Sequence, residues 1–203
     1  MEVADRIRDP DVQRHKIGSG FSLLRRCTDS TLLERCDELW EAYPTLKVQS
    51  NKKNVNRLGI HLLGSKEVRS QHAIGQIALP AALQRILDEV PATGQPLADI
   101  TLETVNATLN KRDGYRHCFL EATLSDSSLN TINDERAAIS QALKTLAPGN
   151  TSADCSQLPS LPNHITIAEA SGSLSQEVTQ EITTMAQTLI GGIAITLTPA
   201  HCT

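Results

Sequence analysis

A histidine and a threonine two residues apart are the side chains of this chain with the clearest potential for chemistry. They are His164 and Thr166, in the run Pro162-Asn-His-Ile-Thr-Ile-Ala168. The pattern predicts a strand, in which residues two apart project to the same face, so that Ile165 and Ile167 lie opposite. A hydroxyl can donate to a non-bridging phosphate oxygen, and an imidazole titrates near neutrality, where it can take up or release a proton. The pair therefore suits phosphate chemistry.

The elements that must position this pair alternate between strands and helices. Runs typical of strands are Gly20–Arg26, Val55–Leu63, Asp99–Leu109, Arg116–Leu124, His164–Ala168 and Ile193–Leu197. Apolar residues at helical spacing predict helices after the N-cap Asp29-Ser30-Thr31, through Leu79–Val90, from Asn133-Asp134-Glu135 onward, and at Val178–Leu189 before Gly191-Gly192. Asp113-Gly114 marks a hairpin turn between the third and fourth strands. The element order is therefore β-α-β-α-β, twice.

This repeated order predicts an α+β fold in one bilobal domain over residues 1–203. We expect lobe one at about 18–109 and lobe two at about 115–199, each a β-α-β-α-β half with an antiparallel sheet. A chain of 203 residues is long enough to bury a core of this size. The two sheets would face a central cleft, which is the expected place for a ligand.

The segment Leu161-Pro-Asn-His-Ile-Thr-Ile-Ala168 resembles the second signature of the 2H phosphoesterase superfamily, the LigT-like RNA 2′,3′-cyclic phosphodiesterases. The resemblance extends in element order over most of the chain and implies a two-lobed 2H phosphoesterase-like fold. In that family each lobe contributes one H-x-T/S motif, and two histidines flank the scissile phosphate, one as base and one as acid. The resemblance implies that His164 is one catalytic histidine, that Thr166 holds the phosphate, and that neither a metal nor another cofactor is needed.

The first signature of that family is degenerate in this chain. The strand Asn56-Arg-Leu-Gly-Ile-His-Leu-Leu-Gly64 ends as the family pattern does, but counting back from its last glycine puts Arg57 and Gly59 at the histidine and threonine positions. His61 lies on the same face, further along the strand. Either His61 takes the second catalytic role from a shifted register, or the first histidine is lost. Arg57 could still bind a phosphate as a planar donor.

The remaining histidines and the cysteines are weaker candidates for chemistry. His117, at the head of the predicted hairpin strand, is a further candidate for contact with the ligand, whereas His15, His72 and His201 are poor ones. Neither an H-x-x-x-H pair nor an acid-rich loop is present, so we expect no metal site. Five scattered cysteines without a C-x-x-C pair predict reduced thiols.

Net charge and aromatic content argue against some classes of binding partner. The net charge of −4 argues against a nucleic-acid coat and against duplex DNA, and an aromatic content of 2% argues against a base-stacking platform. Two basic clusters predict a local anion site, one around the second strand and one at the hairpin turn: Lys47, Lys52, Lys53, Arg57, Lys66 and Arg69, then Lys111, Arg112 and Arg116. We expect no membrane partner, since no run reaches the ~20 apolar residues of a span, and we expect a cytoplasmic monomer.

Three functions fit these observations. The first is a phosphodiesterase that acts on a cyclic nucleotide, an RNA 2′,3′-cyclic phosphate or a 2′-5′ linked oligonucleotide, with His164, Thr166 and His61 as catalytic residues and Arg57 and His117 as substrate contacts. The second is a module that binds a nucleotide or RNA end with little turnover, as a sensor or sponge. The third is an unrelated α/β interaction domain in which the H-x-T sequence is accidental.

Overall fold

A computed structural model describes residues 23–44, 46, 58–63, 87–112, 115–146, 163–171 and 174–202. Its elements are β1 (Leu23–Arg26), α1 (Ser30–Ala42), β2 (Gly59–Leu63), a 3-10 helix (Pro91–Gly94), β3 (Leu97–Arg112), β4 (Tyr115–Leu124), α2 (Asp126–Leu146), β5 (His164–Ser171), α3 (Gln176–Ile190), β6 (Ala194–Leu197) and β7 (His201–Cys202). Arg57, the basic cluster around it and most of the helix predicted over Leu79–Val90 lie outside the described residues.

The described strands form two antiparallel sheets. One has the order β2-β1-β7 and the other the order β5-β4-β3-β6, and an isolated bridge between Cys27 and Leu197 connects them. Helices and antiparallel strands together confirm the predicted α+β class. The chain crosses between the sheets more than once, since β3 pairs with β4 and β6 while β7 returns to β1. The division into two lobes stays a prediction.

The start of α1 and the end of α3 lie where the sequence predicts. The side chain of Asp29 accepts from the backbone N–H groups of Thr31 and Leu32 and so caps α1, and Ser175 caps α3 in the same way. Gly191 ends α3, and Gly192 has a φ of 82°, which favours glycine. None of the helices in the described ranges is long and apolar enough to cross a lipid bilayer.

The start of α2 corrects the sequence prediction. The helix begins at Asp126, about two turns before the predicted start at Asn133. The hydroxyl of Ser125 accepts from the backbone N–H of Ser128 at 3.4 Å, and the carbonyl of Ser125 accepts from the N–H of Leu129 at 2.8 Å. Ser125 is therefore the N-cap, and the carboxylate of Asp126 in the first turn stabilises the positive end of the helix dipole.

A buried ion pair joins the first sheet to α2. The Nε and a terminal nitrogen of Arg25 donate to the two carboxylate oxygens of Glu135 at 2.7 and 2.6 Å. The same guanidinium donates to the carbonyls of Ala92, Gln95 and Thr198. Only 1% of Arg25 is exposed, so this charge depends on these partners for its stability.

Candidate active site

Strand β5 brings His164 and Thr166 to one face, as the alternation of the sequence predicts. Ile165 and Ile167 are fully buried in the core, whereas His164 and Thr166 are partly exposed. The alternation arises because successive side chains of a strand point to opposite faces, and burial of the isoleucines fixes which face turns inward. The side chains of His164 and Thr166 are therefore directed away from the core.

Polar side chains continue this face across the two neighbouring strands. His164 lies opposite Thr123 of β4, and Thr166 lies opposite Glu121 of the same strand. In turn Glu121 lies opposite Asn106 of β3, and Thr123 lies opposite a threonine of β3. The members of this polar face, all at least partly exposed, are Thr104, Asn106, Thr108, Glu121, Thr123, His164 and Thr166.

On this face the carboxylate of Glu121 lies close to His164 and accepts a hydrogen bond from Thr108. The Nε2 atom of His164 lies 3.1 Å from Oε1 of Glu121, with 27% and 18% of the two side chains exposed. The hydroxyl of Thr108 donates to Oε2 of the same carboxylate at 2.7 Å. If His164 is protonated, the two side chains form an ion pair, and a carboxylate beside an imidazole is an arrangement that can support acid–base chemistry.

The second histidine of the predicted site, His61, lies on the partly exposed face of β2. Ile60 and Leu62 are buried on the opposite face. Across the sheet, Leu24 of β1 lies opposite both His61 and His201, and Arg26 of β1 lies opposite Gly59. Arg26 and His201 therefore share the face of His61, and the sequence analysis had ranked His201 as a poor candidate for chemistry.

A single arginine connects the strands of the two histidines. Arg136 of α2 donates to the carbonyl oxygen of His61 from Nε at 3.1 Å and from a terminal nitrogen at 2.8 Å. Its other terminal nitrogen donates to Oδ1 of Asn163 at 2.7 Å and to Oδ1 of Asn133 at 3.1 Å. Asn163 directly precedes His164, and Cα atoms of β2 and β5 approach within 8 Å. Arg136 thus bridges the backbone at His61 to the start of the strand that carries His164.

The guanidinium of Arg136 is buried, which affects both its pKa and its need for hydrogen-bond partners. Arg136 is 3% exposed, and removal from water lowers the pKa of its guanidinium to about 10. The N–H groups of the guanidinium offset this desolvation, because they donate to oxygens of His61, Asn133 and Asn163 at the same time. Arg136 therefore spans from the backbone of β2 to the residue that precedes β5.

The packing around Gly59 leaves no room for the threonine of the first signature. A Cβ atom at this position would collide with the carbonyl oxygen of Arg25, and it would approach Cα of Arg26 to 3.3 Å. The backbones of β1 and β2 are too close here for a threonine, so a hydroxyl at position 59 does not fit this arrangement. On the described part of β2, His61 is the side chain on this face with acid–base capacity.

The other predicted site residues are not brought beside His164 by the described structure. Arg57 lies outside the described residues. The backbone of His117 pairs with Ser171, whereas His164 pairs with Thr123, six residues further along β4. Six residues of a strand correspond to about 20 Å. A contact between His117 and the substrate stays a prediction, and it requires a ligand that extends along the hairpin.

Sequence reasoning missed Glu121, Thr108 and Arg136. The signal for Arg136 is a charged residue between Ile132 and Ile139 on the buried stripe of an amphipathic helix, where burial requires polar partners. The prediction did not detect it, because it began the helix at Asn133 and left Ile132 outside the stripe.

An open groove of about 1010 Å³ lies elsewhere on the molecule, between the end of α1 and α3. It is lined by Tyr43, Glu177, Glu181 and Met185, among others, and includes none of the polar-face residues. The hydroxyl of Tyr43 donates to Glu181 at 2.9 Å, which raises the pKa of the phenol. Within the described ranges no group of three or more His, Cys, Asp or Glu side chains is arranged to hold a metal ion.

Comparison with known proteins gives a likeness of fold. No family model and no curated protein matches the chain. The structure of Kluyveromyces marxianus Usb1 is similar over 91% of this chain and 92% of that one, with a TM-score of 0.50 and 13% sequence identity. The structure of the same protein with uridine monophosphate is similar over 85% and 84%, with a TM-score of 0.43 and 14% identity. At this identity the first likeness concerns the fold alone.

Proposed function

We propose that the protein is a metal-independent phosphodiesterase that uses histidine acid–base catalysis. Its substrate is a cyclic nucleotide, an RNA 2′,3′-cyclic phosphate or a 2′-5′ linked oligonucleotide. The observation that carries the proposal is the group of His164, Thr166 and Glu121 on one exposed sheet face, with the strand of His61 bound to it through Arg136. The choice of substrate class follows the resemblance of the segment 161–168 to the second signature of the 2H phosphoesterases.

The reaction divides among three side chains. The hydroxyl of Thr166 donates to a non-bridging oxygen of the phosphate. One histidine accepts a proton from the attacking water, whose oxygen forms a new bond to phosphorus. The other histidine donates a proton to the ribose oxygen as the bond between that oxygen and phosphorus breaks. Each positioned acid or base contributes about 10²–10⁴-fold to the rate.

Electrostatics favours a diester as the substrate. The carboxylate of Glu121, opposite Thr166, adds a negative charge to the polar face. Repulsion between like charges in a partly desolvated site disfavours a dianionic phosphomonoester more than a diester, which carries one negative charge. The same carboxylate is available as an acceptor for a ribose hydroxyl.

The test is turnover in EDTA on a panel of 2′,3′-cyclic nucleotides, cyclic dinucleotides and 2′-5′ oligonucleotides. We expect the unmodified protein to hydrolyse at least one class and His164→Ala to lose about 10²–10⁴-fold in kcat. Thr166→Val should lose activity as well, because the phosphate loses its hydroxyl donor. Thr196→Val is the matched control, since Thr196 is an exposed threonine on β6, away from the polar face. Equal turnover by His164→Ala and the unmodified protein would refute the proposal.

Gly59 favours one alternative function. Because position 59 cannot hold a hydroxyl, the phosphate lacks one of the two donors of the resembled pattern, and a module that binds nucleotide or RNA ends with little turnover is the second candidate. Tight binding of a panel member without turnover would favour this sensor or sponge. Neither binding nor turnover across the panel would favour an interaction domain instead.

A further inference from the structure

Three polar side chains form a row across the sheet, and the row begins at the threonine proposed to hold the phosphate. Thr166 of β5 lies opposite Glu121 of β4, and Glu121 lies opposite Asn106 of β3. All three are at least partly exposed on the polar face. Adjacent strands lie about 4.8 Å apart, so the backbone of Asn106 is about 10 Å from that of Thr166. The row is therefore long enough for one nucleotide, with its phosphate at one end and its base at the other.

The end of this row carries an oriented amide. Of the polar-face residues, Asn106 is the one with an amide, a planar group that places an acceptor oxygen beside N–H donors. Its Nδ2 donates to the hydroxyl oxygen of Thr104 at 3.3 Å, and that hydroxyl also hydrogen-bonds to the hydroxyl of Thr123. No other described residue hydrogen-bonds to this amide. Its Oδ1 and the second hydrogen of Nδ2 are therefore available to a ligand on the exposed face.

We propose that the amide of Asn106 binds the base of the substrate. The inference rests on the phosphodiesterase proposed above, and it names the residue that recognises the nucleoside. A base in a single strand presents a donor beside an acceptor, such as N3–H and O4 in uracil or N6–H and N7 in adenine, and an amide can bind both atoms at once. The ribose then lies over Glu121, whose carboxylate accepts hydroxyl donors, as it does from Thr108 at 2.7 Å.

This role concerns the choice of substrate and not the chemical step. Asn106 lies on β3, two strands away from β5, which carries His164 and Thr166. A hydrogen bond to the base is made equally in the bound substrate and in the transition state, so its loss raises KM and leaves kcat nearly unchanged. Asn106 is therefore a specificity-determining residue, and its removal has a kinetic signature different from that of His164→Ala, which lowers kcat.

The first test is Asn106→Asp, assayed on guanosine and uridine 2′,3′-cyclic phosphates. A carboxylate only accepts hydrogen bonds, so it matches the adjacent donors N1–H and N2–H of guanine and repels O4 of uracil. We expect the ratio of kcat/KM for guanosine to that for uridine to rise at least about tenfold over the unmodified protein. Asn130→Asp, which adds the same charge at an exposed position of α2, should keep the unmodified ratio. An unchanged ratio in Asn106→Asp would overturn the inference.

The second test measures base preference without turnover. Calorimetry gives the Kd of each of the two nucleotides for His164→Ala, which does not consume them, and for His164→Ala combined with Asn106→Asp. We expect the preference for guanosine over uridine to rise at least about tenfold in the double variant.

The two tests separate this inference from the proposed function. If no member of the panel is turned over but the binding preference shifts, the phosphodiesterase fails and the base site stands. If turnover occurs and the preference of Asn106→Asp stays unchanged in both tests, the base site fails and the phosphodiesterase stands. Absence of binding of either nucleotide, to the unmodified protein as well as to His164→Ala, would overturn the base site outright.

Discussion

At the scale of single residues, the site depends on buried polar groups with several partners each. Arg136 contacts the carbonyl of His61 and the side chains of Asn133 and Asn163. A lysine would keep the charge but would offer one nitrogen in place of a planar fork, so it cannot satisfy oxygens on β2 and before β5 together. The connection between β2 and the residue before β5 therefore depends on the planar fork of arginine.

We predict that Arg136→Lys lowers kcat/KM by more than tenfold, because a small displacement of catalytic groups reduces rates strongly. Steady-state kinetics on the best panel substrate measures this effect, and thermal unfolding shows whether the variant is folded. Arg35→Lys is the matched control, since Arg35 is half-exposed on α1 and pairs only with Glu38 of the same helix at 3.5 Å among its described ion pairs. An unchanged kcat/KM in Arg136→Lys would show that this bridge does not position the site.

Two buried thiols predict a dependence of stability on pH. Burial raises the pKa of Cys27 to about 11 and also raises the pKa of Cys36. A thiol in the unfolded chain titrates near about 8.5, so the folded state holds more protons above that pH. The stabilisation is fully present below pH ~8.5 and is lost as the pH rises through the folded-state pKa, up to about 3 kcal/mol for Cys27.

Urea unfolding at a series of pH values from about 8 to 10.5 measures this dependence. We expect the free energy of unfolding to fall over this range, and to fall less steeply in Cys27→Ala, which lacks one of the groups. Identical slopes for the two proteins would contradict the raised pKa of Cys27.

At the scale of elements, the pairing of β3 with β4 could be predicted from the sequence. The pairing of β5 could not, and the reason is physical. Counting back from the hairpin turn at Asp113-Gly114 pairs Asn106 with Glu121 and Thr104 with Thr123, as the structure shows. The partners of β5 could not be counted in this way. A register shift between Leu120 and Glu121 decides that Thr166 lies opposite Glu121, and such a bulge leaves no clear sign in the sequence.

The close contact of β1 and β2 predicts the effect of Gly59→Ala. The added Cβ meets the carbonyl of Arg25, a backbone atom that cannot move without disturbing the pairing of the strands. We expect a loss of about 1–3 kcal/mol or more in the free energy of unfolding, together with lower turnover, because His61 follows two residues later on the same strand.

The comparison for this variant is Gly192→Ala. Gly192 has a φ of 82° but open space around its Cα, so alanine there costs only backbone strain of about 1–2 kcal/mol. We expect Gly192→Ala to keep the turnover of the unmodified protein. Equal turnover and stability in Gly59→Ala would contradict the tight packing of the two strands.

At the scale of the whole molecule, neighbouring residues of α2 hold the fold and the site. Glu135 binds Arg25 of β1, and Arg136 binds β2 and the residue before β5. Arg25 also donates to three carbonyls that are far away in sequence. Such contacts depend on tertiary packing, so no local pattern around Arg25 could have predicted them.

We predict that Glu135→Gln lowers the free energy of unfolding by about 3–5 kcal/mol, because the buried charge of Arg25 loses its counterion. Glu38→Gln, in an exposed pair with Arg35, should cost less than about 1 kcal/mol. Replacing both partners, Arg25→Met with Glu135→Leu, should not restore stability, since three carbonyls still lose their donor. Denaturant unfolding measures the free energy of unfolding of each variant. If the double variant were as stable as the unmodified protein, the three carbonyls would not depend on Arg25.

The central claim is that His61 and His164 act in one reaction, and a double-mutant cycle tests it most directly. We would measure kcat/KM in EDTA for the unmodified protein, His61→Ala, His164→Ala and the double variant on the best panel substrate. We predict a loss of at least about 10²-fold for each single variant, and a double variant about as active as the weaker single one, because a base without its acid gains little. Wild-type activity in His61→Ala, or losses that simply multiply, would contradict the account.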